Sequence, residues 1–175
     1  MALHQPWGVI PDISIQAIPD DERLWVPEPG KESVWFRPLM LDTVRGGWTI
    51  LLRMRRKGVY SRHRHPGQVH AYTIKGAWRY LEHDWIATAG TYVFEPPGET
   101  HTLVVDTADE MITFFHNVSG VVVYVDEQGR ATGHEDVFTR IEMCRRHFRD
   151  VGLGEPQHRE LVVEPVEHVG IDCPG

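Results

Sequence analysis

Histidine is the residue type whose spacing could carry chemistry here. Eleven of the 175 residues are histidine, and His63 and His65 stand two apart. In a strand, positions i and i+2 share a face, so both imidazoles converge on one point. His101 follows the run Pro96-Pro97-Gly98, a turn by composition, and reads as part of a separate strand. Three neutral imidazoles from two strands suit a borderline divalent ion and leave positions free for a substrate or for oxygen. A single histidine carries no such meaning, because most serve as hydrogen-bonded surface or core groups. The pattern points to the metal, and the count does not.

The elements that must hold these side chains are read from period and punctuation. Strand signals run over Trp48–Met54, Tyr72–Leu81, Gly90–Phe94, His101–Val105, Met111–Val118 and Val121–Val125, broken about every ten residues by turn formers. Residues 126–129 read as a hairpin turn. This all-β pattern suits a sandwich, jelly roll or barrel over about 46–125. After it the period changes. Val137, Ile141, Cys144, Phe148 and Val151 recur at three- and four-residue steps, which predicts one helix over about 136–151, closed by Gly152 or Gly154. An irregular tail over 155–175 completes a single domain spanning 1–175.

Bulk composition narrows the function classes. The chain is 41% hydrophobic and 25% charged, with a net charge of −7 from 18 basic and 25 acidic side chains. Such a domain offers no general basic surface to nucleic acid or anionic lipid. The start, MALHQPWGVIPDIS, has neither a basic leader nor a long apolar run, and no stretch approaches a membrane span. Cys144 and Cys173 lie far apart and outside the histidine-rich centre, which predicts a reducing, cytoplasmic setting.

Gly58-x4-His63-x-His65-x4-His70-x5-Gly76 resembles the first cupin motif, G-x5-H-x-H-x(3,4)-E-x6-G. Gly90-x5-Pro96-x-Gly98-x2-His101 matches the start of the second, G-x5-P-x-G-x2-H-x3-N. The resemblance implies a cupin-type jelly-roll β-barrel with the metal inside it. Two departures matter. His70 replaces the usual glutamate of the first motif, and Val105 replaces the asparagine of the second. The expected shell is therefore His63, His65 and His101 without that carboxylate, with His70 as a fourth ligand or a donor behind it.

Three-histidine cupins without the glutamate resemble iron(II) dioxygenases that cleave carbon–carbon bonds of ketones. The runs Arg62-His63-Arg64-His65-Pro66-Gly67, His83-Asp84-Trp85 and Phe94 to Leu103 are most similar to the 2,4'-dihydroxyacetophenone dioxygenases, with the acetylacetone-cleaving cupins as the rival. The first resemblance implies Fe(II), with zinc, manganese or nickel as other fits. It also implies a small aryl α-hydroxyketone and O2 as partners, an aromatic acid and formate as products, and a homo-oligomer, a dimer or tetramer. Removal of the α-proton needs a base near the metal. Glu95, on the face of Thr91 and Val93 at a strand end, is the candidate. Tyr72, Ile74, Trp78 and Tyr80 share parity with His70 along an unbroken strand and would line the pocket, while a bulge at Gly76 would reverse the order beyond it. Arg53, Arg55 and Arg56 read as a solvated sheet face, and His116 as structural. The readings in other classes are a metal-binding cupin sensor, for which only the 136–151 helix could dock a partner, and a zinc or manganese isomerase or hydrolase.

Overall fold

The computed structural model describes residues 12–106, 110–154 and 161–164. The start of the chain and most of the predicted tail, with Cys173, lie outside the described residues. The strands are β1 (Val26–Pro27), β2 (Val34–Asp42), β3 (Gly47–Met54), β4 (Gly58–Arg64), β5 (Val69–Lys75), β6 (Ala77–Tyr80), β7 (Ala87–Thr88), β8 (Tyr92–Glu95), β9 (Thr100–Val105), β10 (Met111–Asn117), β11 (Val122–Val125), β12 (Ala131–Glu135) and β13 (Val162–Val163). One helix, α1 (Val137–Asp150), lies between β12 and β13.

These strands form two sheets. One runs β1-β2-β3-β10-β5-β8, with β13 added in parallel beside β2. The other runs β12-β11-β4-β9-β6-β7. All other pairings are antiparallel. The sheets face each other as a jelly roll, and Trp48, Ile50, Met54, Val69, Trp78, Leu103 and Phe115 fill the space between them. The barrel therefore begins before residue 46. Strand β2, Val-Trp-Phe-Arg-Pro-Leu-Met-Leu-Asp, is buried on both faces and lacks the alternation that marks a half-exposed strand. The tail is less irregular than its prolines suggest, since Val162 and Val163 pair with Leu41 and Asp42.

Strand β3 explains one departure from expectation. Its inner residues Trp48, Ile50, Leu52 and Met54 line a cavity, while its outer Leu51 packs with Trp25 and Ile112 in a second, smaller core. Arg53 on that outer face is 3% exposed rather than solvated. Its guanidinium carbon lies 4.1 Å from the centre of the Trp25 ring and 5.0 Å from that of Trp35, and both its Nη atoms donate to Glu22.

A capping box starts α1. The Asp136 carboxylate accepts from the Thr139 backbone N–H, and the Thr139 hydroxyl oxygen accepts from the Asp136 backbone N–H. Val137, Ile141, Cys144 and Phe148 form its buried stripe, packed against β1 and β2. Arg140 lies in the same stripe and is buried with them.

Candidate metal centre

His63 lies on β4, where it pairs directly with His101 on β9. His65 lies just past the end of β4. The antiparallel register thus brings the three imidazoles together, with one ligand atom from each within 4.8 Å of the other two. Neighbours fix each ring. The Nδ1–H of His65 donates to the Gly67 carbonyl at 2.6 Å, which turns its Nε2 inward. The backbone there packs closely on a segment distant in sequence: a Cβ on Gly67 would lie 2.0 Å from the Ser119 carbonyl oxygen. Ser61 Oγ lies 3.4 Å from His63 Nδ1. His101 stacks flat on Tyr80, ring centres 3.8 Å apart and planes within 4°.

The donor set and its environment fit a divalent ion. His101 is fully buried, and neither of its ring nitrogens has a hydrogen-bond partner among the described residues. Orphaned polar atoms of this kind are costly, and coordination would satisfy one of them. Burial, reinforced by the neighbouring histidines, lowers the His101 pKa to about 2. Burial and His65 lower that of His63 to about 4. Both rings are therefore neutral near pH 7, as ligation requires. His65 departs the other way: burial lowers its pKa, but the hydrogen bonds it donates to the Glu95 carboxylate and the Gly67 carbonyl outweigh that and leave it raised.

Glu95 closes the site. It is the last residue of β8 and is 3% exposed. Its Oε2 lies 3.1 Å from His65 Nε2 and 3.7 Å from His101 Nε2, while its Oε1 accepts from the Tyr80 hydroxyl at 2.9 Å. A buried carboxylate from another strand thus stands beside the cluster. Burial, and then the Glu95 charge, push the Tyr80 hydroxyl far above its usual pKa, so it remains a donor.

The expected pocket wall is divided at Gly76. Val69, Ala71 and Thr73 of β5 point inward and are buried, whereas His70, Tyr72 and Ile74 point outward. His70 therefore stands outside the cluster, with its Nδ1 hydrogen-bonded to the Tyr92 hydroxyl at 2.8 Å and its ring facing His116 on β10. Tyr72, 47% exposed, is likewise on the outer face. At Gly76 the chain takes a φ of +75° and crosses to the other sheet, which reverses the parity. Trp78 and Tyr80 on β6 then point inward and are buried. The Trp78 indole N–H donates to the Thr73 hydroxyl across the corner at 2.8 Å.

An internal cavity reaches the cluster, touching His63, His65, Tyr80 and Glu95 between apolar walls of Trp48, Ile50, Leu103 and Phe115. Lys31, Tyr124, Glu135 and Arg140 also line it and had no place in the sequence expectations. An arginine within the apolar stripe of α1 was the one available signal. Lys31 lies in a loop with no periodicity to read.

A family model for the ChrR cupin-like domain matches residues 15–121. The chain belongs to the ChrR cupin-like family. Its fold is accordingly the cupin jelly roll. An RmlC-like cupin protein from Ralstonia eutropha JMP134 is 31% identical, with 79% of this chain and 91% of that chain covered and a TM-score of 0.71. A protein of unknown function with a cupin-like fold from the same organism is 28% identical over 70% and 77% of the two chains, with a TM-score of 0.66. An acetylacetone dioxygenase from Acinetobacter johnsonii shares the fold at a TM-score of 0.65 and 15% identity, over 80% of this cupin and 97% of that chain. No curated protein matches the sequence.

Proposed function

We propose that this cupin is a non-haem iron(II) dioxygenase that cleaves the carbon–carbon bond of a small aryl α-hydroxyketone. For 2,4'-dihydroxyacetophenone the products would be 4-hydroxybenzoate and formate, with both atoms of O2 ending in the two acids. The observation that carries the reading is the Glu95 carboxylate, buried beside three clustered imidazoles, two of them held neutral by burial, at one end of an apolar, aromatic cavity. His63, His65 and His101 would hold the ion. When bound, it would supply Lewis acidity toward ketone oxygens and a route for electrons to O2.

The rest is the work of side chains. Glu95 Oε2 faces the cluster and is the base for the α-proton, while Oε1 stays anchored by the Tyr80 hydroxyl, so the carboxylate keeps its aim. Trp48 and Phe115 give an aromatic ring flat apolar surfaces and keep water from the reacting carbon. The shared fold with the Acinetobacter acetylacetone dioxygenase favours a second reading, cleavage of a β-diketone at the same site.

Oxygen uptake after anaerobic loading with Fe(II) tests both readings, with 2,4'-dihydroxyacetophenone and acetylacetone as substrates. Uptake with stoichiometric formation of 4-hydroxybenzoate is expected for the first. No uptake with either ketone would sink the dioxygenase reading. His101→Ala should lose iron by at least tenfold in affinity, measured by metal analysis after dialysis; full occupancy would refute the triad.

A further inference from the structure

We propose that Lys31 makes the cavity selective for ligands carrying an anionic oxygen, a carboxylate or a phenolate, at the end that faces the cavity mouth. The proposal deepens the reading above by naming the substrate class of that site, and it rests on the metal centre being the other end of the ligand.

The position of Lys31 comes first. Lys31, Tyr60, Ser61, Tyr124 and Glu135 line both the internal cavity and a surface cleft outside it, so together they form its mouth. The Tyr124 ring lies 6.3 Å from the His63 ring, and the Lys31 ammonium lies 4.8 Å from the centre of the Tyr124 ring. A molecule with oxygens at the histidines therefore has its other end within reach of Lys31. Trp48, Ile50, Leu52, Leu103 and Phe115 are among the residues lining the cavity, and they offer no charge of their own.

The partners of Lys31 matter next. Four charged groups meet at the mouth. Arg140 donates through its two Nη atoms to Glu28 Oε1 and to Glu135 Oε2 at 2.5 Å each, while its Nε is buried without a hydrogen-bond partner among the described residues. Lys31 donates to the Tyr124 hydroxyl oxygen at 3.3 Å and stands 3.9 Å from Glu28 Oε2, beyond hydrogen-bond reach. An ammonium has three donors, so Lys31 keeps donors for a ligand. Burial and the Glu135 charge raise the Tyr124 pKa, so this hydroxyl stays neutral and does not compete as an anion. The two carboxylates and two cations cancel, so the mouth carries no net negative charge against an incoming anion. In a cavity with apolar walls, an ammonium with spare donors favours an anionic oxygen over a neutral one.

Calorimetric titration of the zinc-loaded protein provides the test, with 4-acetylbenzoate against 4-acetylbenzamide and 4-hydroxyacetophenone against acetophenone. We expect the acid or the phenol to bind about tenfold tighter than its neutral partner, which is about 1.4 kcal/mol. Preference in the first pair alone assigns a carboxylate, and in the second pair alone a phenolic oxygen. Lys31→Met should erase the preference, and Lys31→Arg should keep it. Absence of preference in both pairs, failure of all four to bind, or an undiminished preference in Lys31→Met would overturn the proposal. Zinc keeps oxygen chemistry out of the measurement, so an iron-loaded protein without oxygen uptake would refute the dioxygenase reading and leave this result standing.

Discussion

Buried neutral histidines tie the stability of the metal-free cupin to pH. In the unfolded chain His63 and His101 take up protons near their ordinary value of about 6.5. In the fold they resist until about 4 and about 2 respectively. Between these limits the unfolded state binds more protons, so stability is full above pH 6.5 and is lost as pH falls. His65, raised by Glu95, opposes this more weakly. Urea unfolding of the metal-free protein at pH 7 and pH 4.5 should show a loss of about 5 kcal/mol from these two rings, reduced by what His65 returns. His63→Leu should flatten that dependence. Glu95 has a separate signature. Glu95→Gln keeps the shape and the Tyr80 contact, so it should retain iron while turnover drops by about two to three orders of magnitude, read from single-turnover kinetics.

At the scale of elements, Gly76 decides which aromatic side chains belong to the site. The alternation through Tyr72, Ile74, Trp78 and Tyr80 is continuous in the sequence, yet the first pair faces outward and the second inward. The reversal needs a left-handed φ and a close approach to the neighbouring strand: a Cβ at Gly76 would lie 2.7 Å from the Glu110 carbonyl oxygen and 2.9 Å from Met111 Cα. Gly76→Ala should therefore cost about 1–3 kcal/mol in denaturant unfolding, and more than Gly90→Ala, whose Cβ meets nothing within 4 Å despite a similarly positive φ. Helix α1 was easier to read, because its apolar stripe and its Asp136 cap are local features that packing on β1 and β2 leaves intact.

The whole molecule is closed at its mouth by charge. Arg140 on the helix joins Glu28 before β2, distant in the chain, to Glu135 at the end of the neighbouring β12. Burial alone would raise the Glu28 pKa, but Arg140 and then Lys31 bring it below the usual range. Removing the guanidinium leaves two carboxylates facing each other, one of them deeply buried. Arg140→Met should accordingly cost about 3–5 kcal/mol. Combining it with Glu28→Gln should recover part of the loss in the same denaturant experiment. Full recovery is not expected, because Glu135 would remain unpaired.

The sequence by itself determined the helix, through its apolar stripe, and the shared face of His63 and His65, through a two-residue strand period. The cupin class and the addition of His101 were legible through the resemblance to two motifs around glycine and proline turns. Tertiary structure alone decided what surrounds the histidines. Glu95, expected near the metal as a base, is fixed on His65 and Tyr80 because β8 ends against the cluster, and His70 is excluded because β5 turns that face outward. Lys31, Glu28 and Arg140 reach one cavity only through pairings across more than ninety residues. No local period encodes such contacts; they follow from how two sheets and a helix close on each other.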